Sequence, residues 1–163
     1  MSFADSYLGG LRALVGPRPL LAVGVRVLVE DSEGRFLILQ RSDSGHWGLP
    51  GGSMELGESL MDAVHRETRE ETNLTLTDVR PFGLSSDPRV ERYTYPNRDV
   101  LQSVSLLVHA GAVDGPLAAN DGEALAFRFV RPEKIDPATF TAPEWPTFGH
   151  WRRHLETGAF QIV

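Results

Sequence analysis

The chain has 163 residues, of which 41% are apolar and 23% charged, and 22 acidic against 16 basic side chains leave a net charge of −6. These values fit one globular domain with a core of its own and argue against a disordered chain, a fibrous repeat and any general affinity for a nucleic-acid backbone. The absence of cysteine excludes disulfides, thiolate metal sites, iron–sulfur clusters and thiol nucleophiles. The five scattered histidines support no histidine metal cluster. No apolar run approaches the roughly 20 residues of a membrane-spanning helix, and no basic leader precedes a long apolar stretch, so a cytoplasmic protein is expected.

Residues 5–15 place Leu8, Leu11, Leu14 and Val15 at helical spacing, with Asp5 or Ser6 as N-cap. Gly16-Pro17-Arg18-Pro19 ends that helix. Two strands follow, 20–30 and 35–41, joined by the turn Asp31-Ser32-Glu33-Gly34. In the first, Ala22, Gly24, Arg26 and Leu28 face one way, and Val23, Val25, Val27 and Val29 the other. Arg26 in an otherwise apolar strand is either a solvated end position or an arginine aimed into a ligand cleft. A loop over 42–57 leads to the clearest helix, 59–72, whose inward face is Leu60, Ala63, Val64 and Thr68. Asn73 follows, a residue that tolerates the left-handed conformation closing many helices. Further strands are expected near 75–84, 90–95, 101–112 and 124–130, and a last helix over 145–157 before Gly158. The fold class is α+β, with a mixed sheet between helices.

The helix over 59–72 carries the chemistry. Glu67, Glu70 and Glu71 share one face at 3.6 residues per turn, so they repel one another unless a cation offsets the charge. A hard divalent ion such as magnesium suits a few carboxylates beside a glycine loop. An isolated acidic helix face is usually just solvated, but the wider pattern weighs against that here. Gly52, Glu58, Arg66, Glu67, Glu70 and Glu71 stand at fixed offsets. With each residue type at about 5–7% of average usage, one start position matches all six by chance roughly once in 10⁷ to 10⁸.

Those offsets resemble the Nudix box, G-x5-E-x7-R-E-U-x-E-E-x-G-U with U aliphatic, over residues 52–74. Leu74 fills the last aliphatic place. Thr68 stands where the family has an aliphatic residue, and Asn73 where it has glycine. Both are positions of fold and not of chemistry. The preceding strand pair and the run Trp47-Gly48-Leu49-Pro50-Gly51-Gly52 extend the likeness over about 20–135, within one domain spanning 1–163.

The resemblance implies an α/β/α Nudix fold and a pyrophosphohydrolase that cleaves a nucleoside diphosphate linked to a further group X. It implies that Glu67, Glu70 and Glu71 bind Mg²⁺ or Mn²⁺, with the Gly52 carbonyl as a further ligand, and that Arg66 pairs with Glu58 to brace loop against helix. The general base is a box glutamate or, in a later loop, Glu123, with Asp121 a weaker alternative. Arg26 and Arg41 are candidates for phosphate oxygens. Trp47 is a candidate to flank a base, although packing suits it better. Tyr93, Tyr95 and Gln102 belong to an excursion that either lies over the ligand or forms a hairpin turn. The partner is a small nucleotide, with no membrane and no strong nucleic-acid signal, and many such domains form homodimers. The alternatives are a nucleotide-sensing binding module and an RNA pyrophosphohydrolase. The intact set of carboxylates disfavours the first, and the acidic balance the second.

Overall fold

The computed structural model describes residues 3–95, 97–111, 116–119 and 122–163. A 3-10 turn, Phe3–Asp5, runs into α1, Tyr7–Val15, which Ser6 caps by accepting the Gly9 N–H. Only one of the four expected inward positions is buried: Leu8 is buried, whereas Leu14 is 84% exposed, because α1 lies across a cleft and not against the core.

β1, Leu20–Glu30, is the axis of a nine-stranded sheet. It turns through Asp31–Arg35 into β2, Phe36–Arg41. The segment expected as loop contains two very short strands, β3, Trp47–Gly48, and β4, Gly51–Ser53. The helix α2, Leu60–Thr72, is followed by β5, Thr77–Ser85. The strand expected near 90–95 is present but shorter, β6, Arg92–Thr94, because a one-turn helix α3, Pro88–Glu91, precedes it. Pro88 at the first helical position and Asp87, which accepts the Arg89 N–H, explain the turn. Then come β7, Val100–Gly111, β8, Ala124–Val130, α4, Pro146–Thr157, and β9, Gln161–Ile162, a closing strand with no forecast in the sequence.

The sheet is mixed. β1 pairs parallel with β7 over its whole length and antiparallel with β4 and β2, while β5 lies between β7 and β9. The alternation expected along β1 holds. Val25, Val27 and Val29 pack with Leu37, Ala63 and Val64 beneath α2, whereas Leu28 packs with Phe82, Phe140 and Phe148 beneath α4. The sheet is thus covered on both faces, the α/β/α arrangement expected. No helix among the described residues is long and apolar enough to cross a membrane.

Candidate active site

A cleft of about 380 Å³ opens where β4, the C-terminal half of α2, and α1 meet. Its shape begins with two glycines. Gly51 has φ 149°, and a Cβ there would lie 2.2 Å from the Val25 carbonyl oxygen. A Cβ on Gly52 would lie 2.5 Å from the Glu67 carboxyl carbon, so glycine lets that carboxylate rest against the loop. Gly51 then donates its N–H to Glu71 Oε2 at 2.8 Å.

The helix holds its acidic side in place from both ends. Ser59 and Asp62 form a reciprocal capping box, and Asn73 closes the helix at φ 64°. Thr68 takes the aliphatic position of the core face and is fully buried. The carboxylates grade in depth: Glu71 is buried, Glu67 and Glu70 are partly exposed. Arg66 ties the cluster together. Its Nε and Nη2 donate to Glu58 at 3.0 and 2.7 Å, Nη2 also donates to the Ser53 carbonyl at 2.9 Å, and Nη1 lies 2.9 Å from Glu67 and 3.7 Å from Glu70. The expected Arg66–Glu58 pair is therefore present, linking loop to helix. These bonds, that to Glu58 foremost, raise the Arg66 pKa and lower that of Glu58.

The remaining carboxylates sit in a different field. Burial pushes Glu71 well above the usual carboxylate range; Gly51 and Arg41 offset part of this, and Glu67 and Glu144 add to it. Burial also raises Glu67, against the pull of Arg66, with Glu70 and Glu123 adding repulsion. Crowded, partly desolvated oxygens of this kind gain from a nearby cation. The donor set is all oxygen, which fits magnesium or manganese and not a soft metal. Among the described residues no three acidic or imidazole groups stand so that they could hold a metal ion by themselves. Magnesium commonly completes its shell with waters and substrate oxygens.

The other sequence-derived candidates divide clearly. Arg41, Tyr95 and Glu123 line the same cleft as Glu67, Glu70, Glu71, Arg66 and Gly52. Burial opposes the charge on Arg41, but Glu144, Glu71 and Asp43 outweigh it and raise its pKa. Glu123 is exposed at the cleft edge; Asp121 lies outside the described residues. Arg26 is neither solvated nor free for a phosphate. It is 7% exposed and makes a two-pronged pair with Glu91, 3.1 Å on each side, while Nη1 donates to the Pro143 carbonyl at 2.9 Å. Trp47 and Gln102 lie away from the cleft. The Trp47 ring stacks under Arg128 at 4.5 Å, and Gln102 sits within β7 opposite Arg92. Sequence reasoning missed Glu91 and Glu144. Neither belongs to a motif, and each reads as a surface charge until distant segments meet.

An acidic, arginine-braced helix beside a glycine strand, within an α/β/α fold, is the arrangement expected of a hydrolase of phosphorus-containing acid anhydrides. The NUDIX domain family model matches residues 20–150, and the chain belongs to that family. It is 30% identical to the nucleoside triphosphatase NudI of Salmonella arizonae over 111 residues, 64% of this chain and 78% of the relative. Among solved structures, a NUDIX hydrolase from Nitrosomonas europaea superimposes with TM-score 0.66 at 24% identity, over 87% of this chain and 78% of that one. A UDP-X diphosphatase gives TM-score 0.69 at 14% identity over 98% and 76% of the two chains. These two share the fold. The chain is thus similar to enzymes that hydrolyse nucleotide diphosphate bonds, and the family generally uses divalent cations.

Proposed function

We propose that the chain is a magnesium-dependent pyrophosphohydrolase of a small nucleotide, with manganese as a substitute ion and a nucleoside triphosphate as the favoured substrate. The observation that carries this reading is the convergence of Glu67, Glu70 and Glu71 with the Arg66–Glu58 brace at one end of the cleft. The likeness to a nucleoside triphosphatase supports the substrate class.

In this reading Glu67, Glu70 and Glu71, with the Gly52 carbonyl, hold the cation. When bound, the ion neutralises phosphate charge and acidifies water, the demands of phosphoryl transfer. Arg66 keeps Glu67 turned towards Gly52 and Glu58 against the loop. Glu123, at the open edge, accepts the proton of the attacking water. Arg41 supplies positive charge beside the anhydride, and Tyr95 and Leu101 add less polar surface to the lining.

A phosphate-release assay with magnesium, with and without added pyrophosphatase, tests this over nucleoside triphosphates, nucleoside diphosphates, ADP-ribose and nucleotide sugars. Glu70→Gln is expected to lower turnover by at least about 10²-fold while leaving the thermal midpoint in place. Glu123→Gln is expected to slow the reaction by roughly 10² to 10⁴. Near-normal turnover of Glu70→Gln at saturating magnesium would remove the carboxylates from the reaction. An unchanged rate in Glu123→Gln would return the base to the helix.

A further inference from the structure

A second cavity of about 130 Å³ lies on the other side of Gly51–Ser53 and shares Arg41 and Tyr95 with the cleft. One end of a ligand could therefore enter it while the anhydride lies over the acidic helix. The floor is built and closed. Arg26 and Glu91 pair there, and Glu91 also accepts the Ser85 hydroxyl at 2.5 Å and the Ser105 hydroxyl at 3.5 Å. These groups satisfy one another.

The wall is different. Residues 140–145 form a strap alongside β3: Thr141 donates its N–H to the Trp47 carbonyl at 2.8 Å, and Leu49 donates its N–H to Glu144 Oε2 at 2.6 Å. Arg26 grips the strap at Pro143. Glu144 is thus fixed at a defined height on the cavity wall. Its Oε1 accepts no hydrogen bond from any described residue, and the largest charge acting on Arg41 is that of Glu144. Tyr93 and Tyr95 stand beside it edge to face, 5.0 Å apart at 88°, and line the same space.

A fixed carboxylate with open lone pairs accepts hydrogen bonds and donates none. An aromatic wall next to it favours a flat ring. The enclosed room corresponds to about four waters at liquid volume, enough for the donor edge of a flat heterocycle whose remainder lies towards the cleft. We infer that this cavity is the subsite for the nucleobase, that Glu144 reads a donor edge there, and that guanine, with adjacent ring N–H and amino groups, is the base it selects. Adenine and cytosine place a ring acceptor next to their amino group, which the carboxylate repels, and uracil flanks its ring N–H with two carbonyls. This inference rests on the nucleotide reading above and names its base.

Binding separates the two. Calorimetric titration of GDP, IDP, ADP and CDP in magnesium, against the wild-type chain and Glu144→Gln, reads the base independently of turnover. Wild type is expected to bind GDP about 10- to 100-fold more tightly than IDP, which lacks the amino group, and than ADP or CDP, the range for hydrogen bonds to a charged group. Glu144→Gln keeps an oxygen for the Leu49 N–H but presents an amide N–H₂ to the cavity, so the preference should disappear with the thermal midpoint unchanged. Equal binding of GDP and IDP by wild type, no binding of any diphosphate, or a preference surviving in Glu144→Gln overturns the inference. The wild-type GDP and IDP comparison stands even if the variant folds badly. A chain that selects GDP through Glu144 but releases no phosphate from any nucleotide would overturn the hydrolase reading alone. Hydrolysis without base preference would overturn only this one.

Discussion

Thr68 shows what a single departure from the family pattern does. It is fully buried on the core face of α2, and its hydroxyl has no hydrogen-bond partner among the described residues. Its backbone carbonyl meanwhile accepts the Thr72 hydroxyl at 2.5 Å. A buried hydroxyl left unsatisfied costs free energy that an isosteric methyl does not. Thr68→Val is therefore expected to stabilise the chain by about 1 kcal/mol, raising the thermal midpoint by roughly 2–4 °C with turnover unchanged. A lower midpoint would mean that the hydroxyl has a partner after all. At this scale the acidic residues of α2 were legible because a fixed local spacing carries them. Glu144 and Glu91 were not. Their environments come from Leu49 and Arg26, far off in sequence, and no periodicity encodes such a meeting.

Elements longer than about six residues announced themselves. β1, β7, β8, α2 and α4 each present enough turns or alternations for a period to emerge. β3 and β4 do not, since strands of two or three residues contain no period, and it is pairing with β2 and β1 that defines them. The turn between β1 and β2 is set by one side chain. Asp31 accepts the N–H groups of Glu33 and Arg35, both at 2.9 Å, and the Arg35 Nε at 2.7 Å. Partial burial pushes the Asp31 carboxyl up, but these bonds outweigh it and hold the pKa below the usual 3.8. A depressed carboxylate stabilises the fold above its unfolded pKa, and that contribution is lost as pH falls through the folded value. Urea unfolding of wild type and Asp31→Asn should thus differ most near pH 7 and converge towards pH 2. A gap that stays constant with pH would assign the turn's stability to something other than the ionised carboxylate.

The whole molecule divides into two apolar clusters, one on each face of the sheet. The α4 side is aromatic: Phe82 is fully buried, and its ring meets Trp151 edge to face at 5.0 Å. Phe82→Ala removes the largest fully buried side chain and should cost about 3–5 kcal/mol, read as a lower urea midpoint at unchanged slope. A loss below about 1 kcal/mol would show that this face closes over the space.

The parallel pairing of β1 with β7 also has a consequence in time. Every residue of β1 from Leu20 to Glu30 waits for a partner between Leu101 and Gly111, about 80 residues further along. At synthesis rates of roughly 5–20 residues per second, that partner emerges about 4–16 s later. Throughout that interval one edge of a valine-rich strand has no mate within its own chain. Sheets closed by such distant contacts fold slowly. The axis of the sheet is therefore completed late in biogenesis, and the nascent chain passes through a period in which an apolar edge is open to the wrong neighbour.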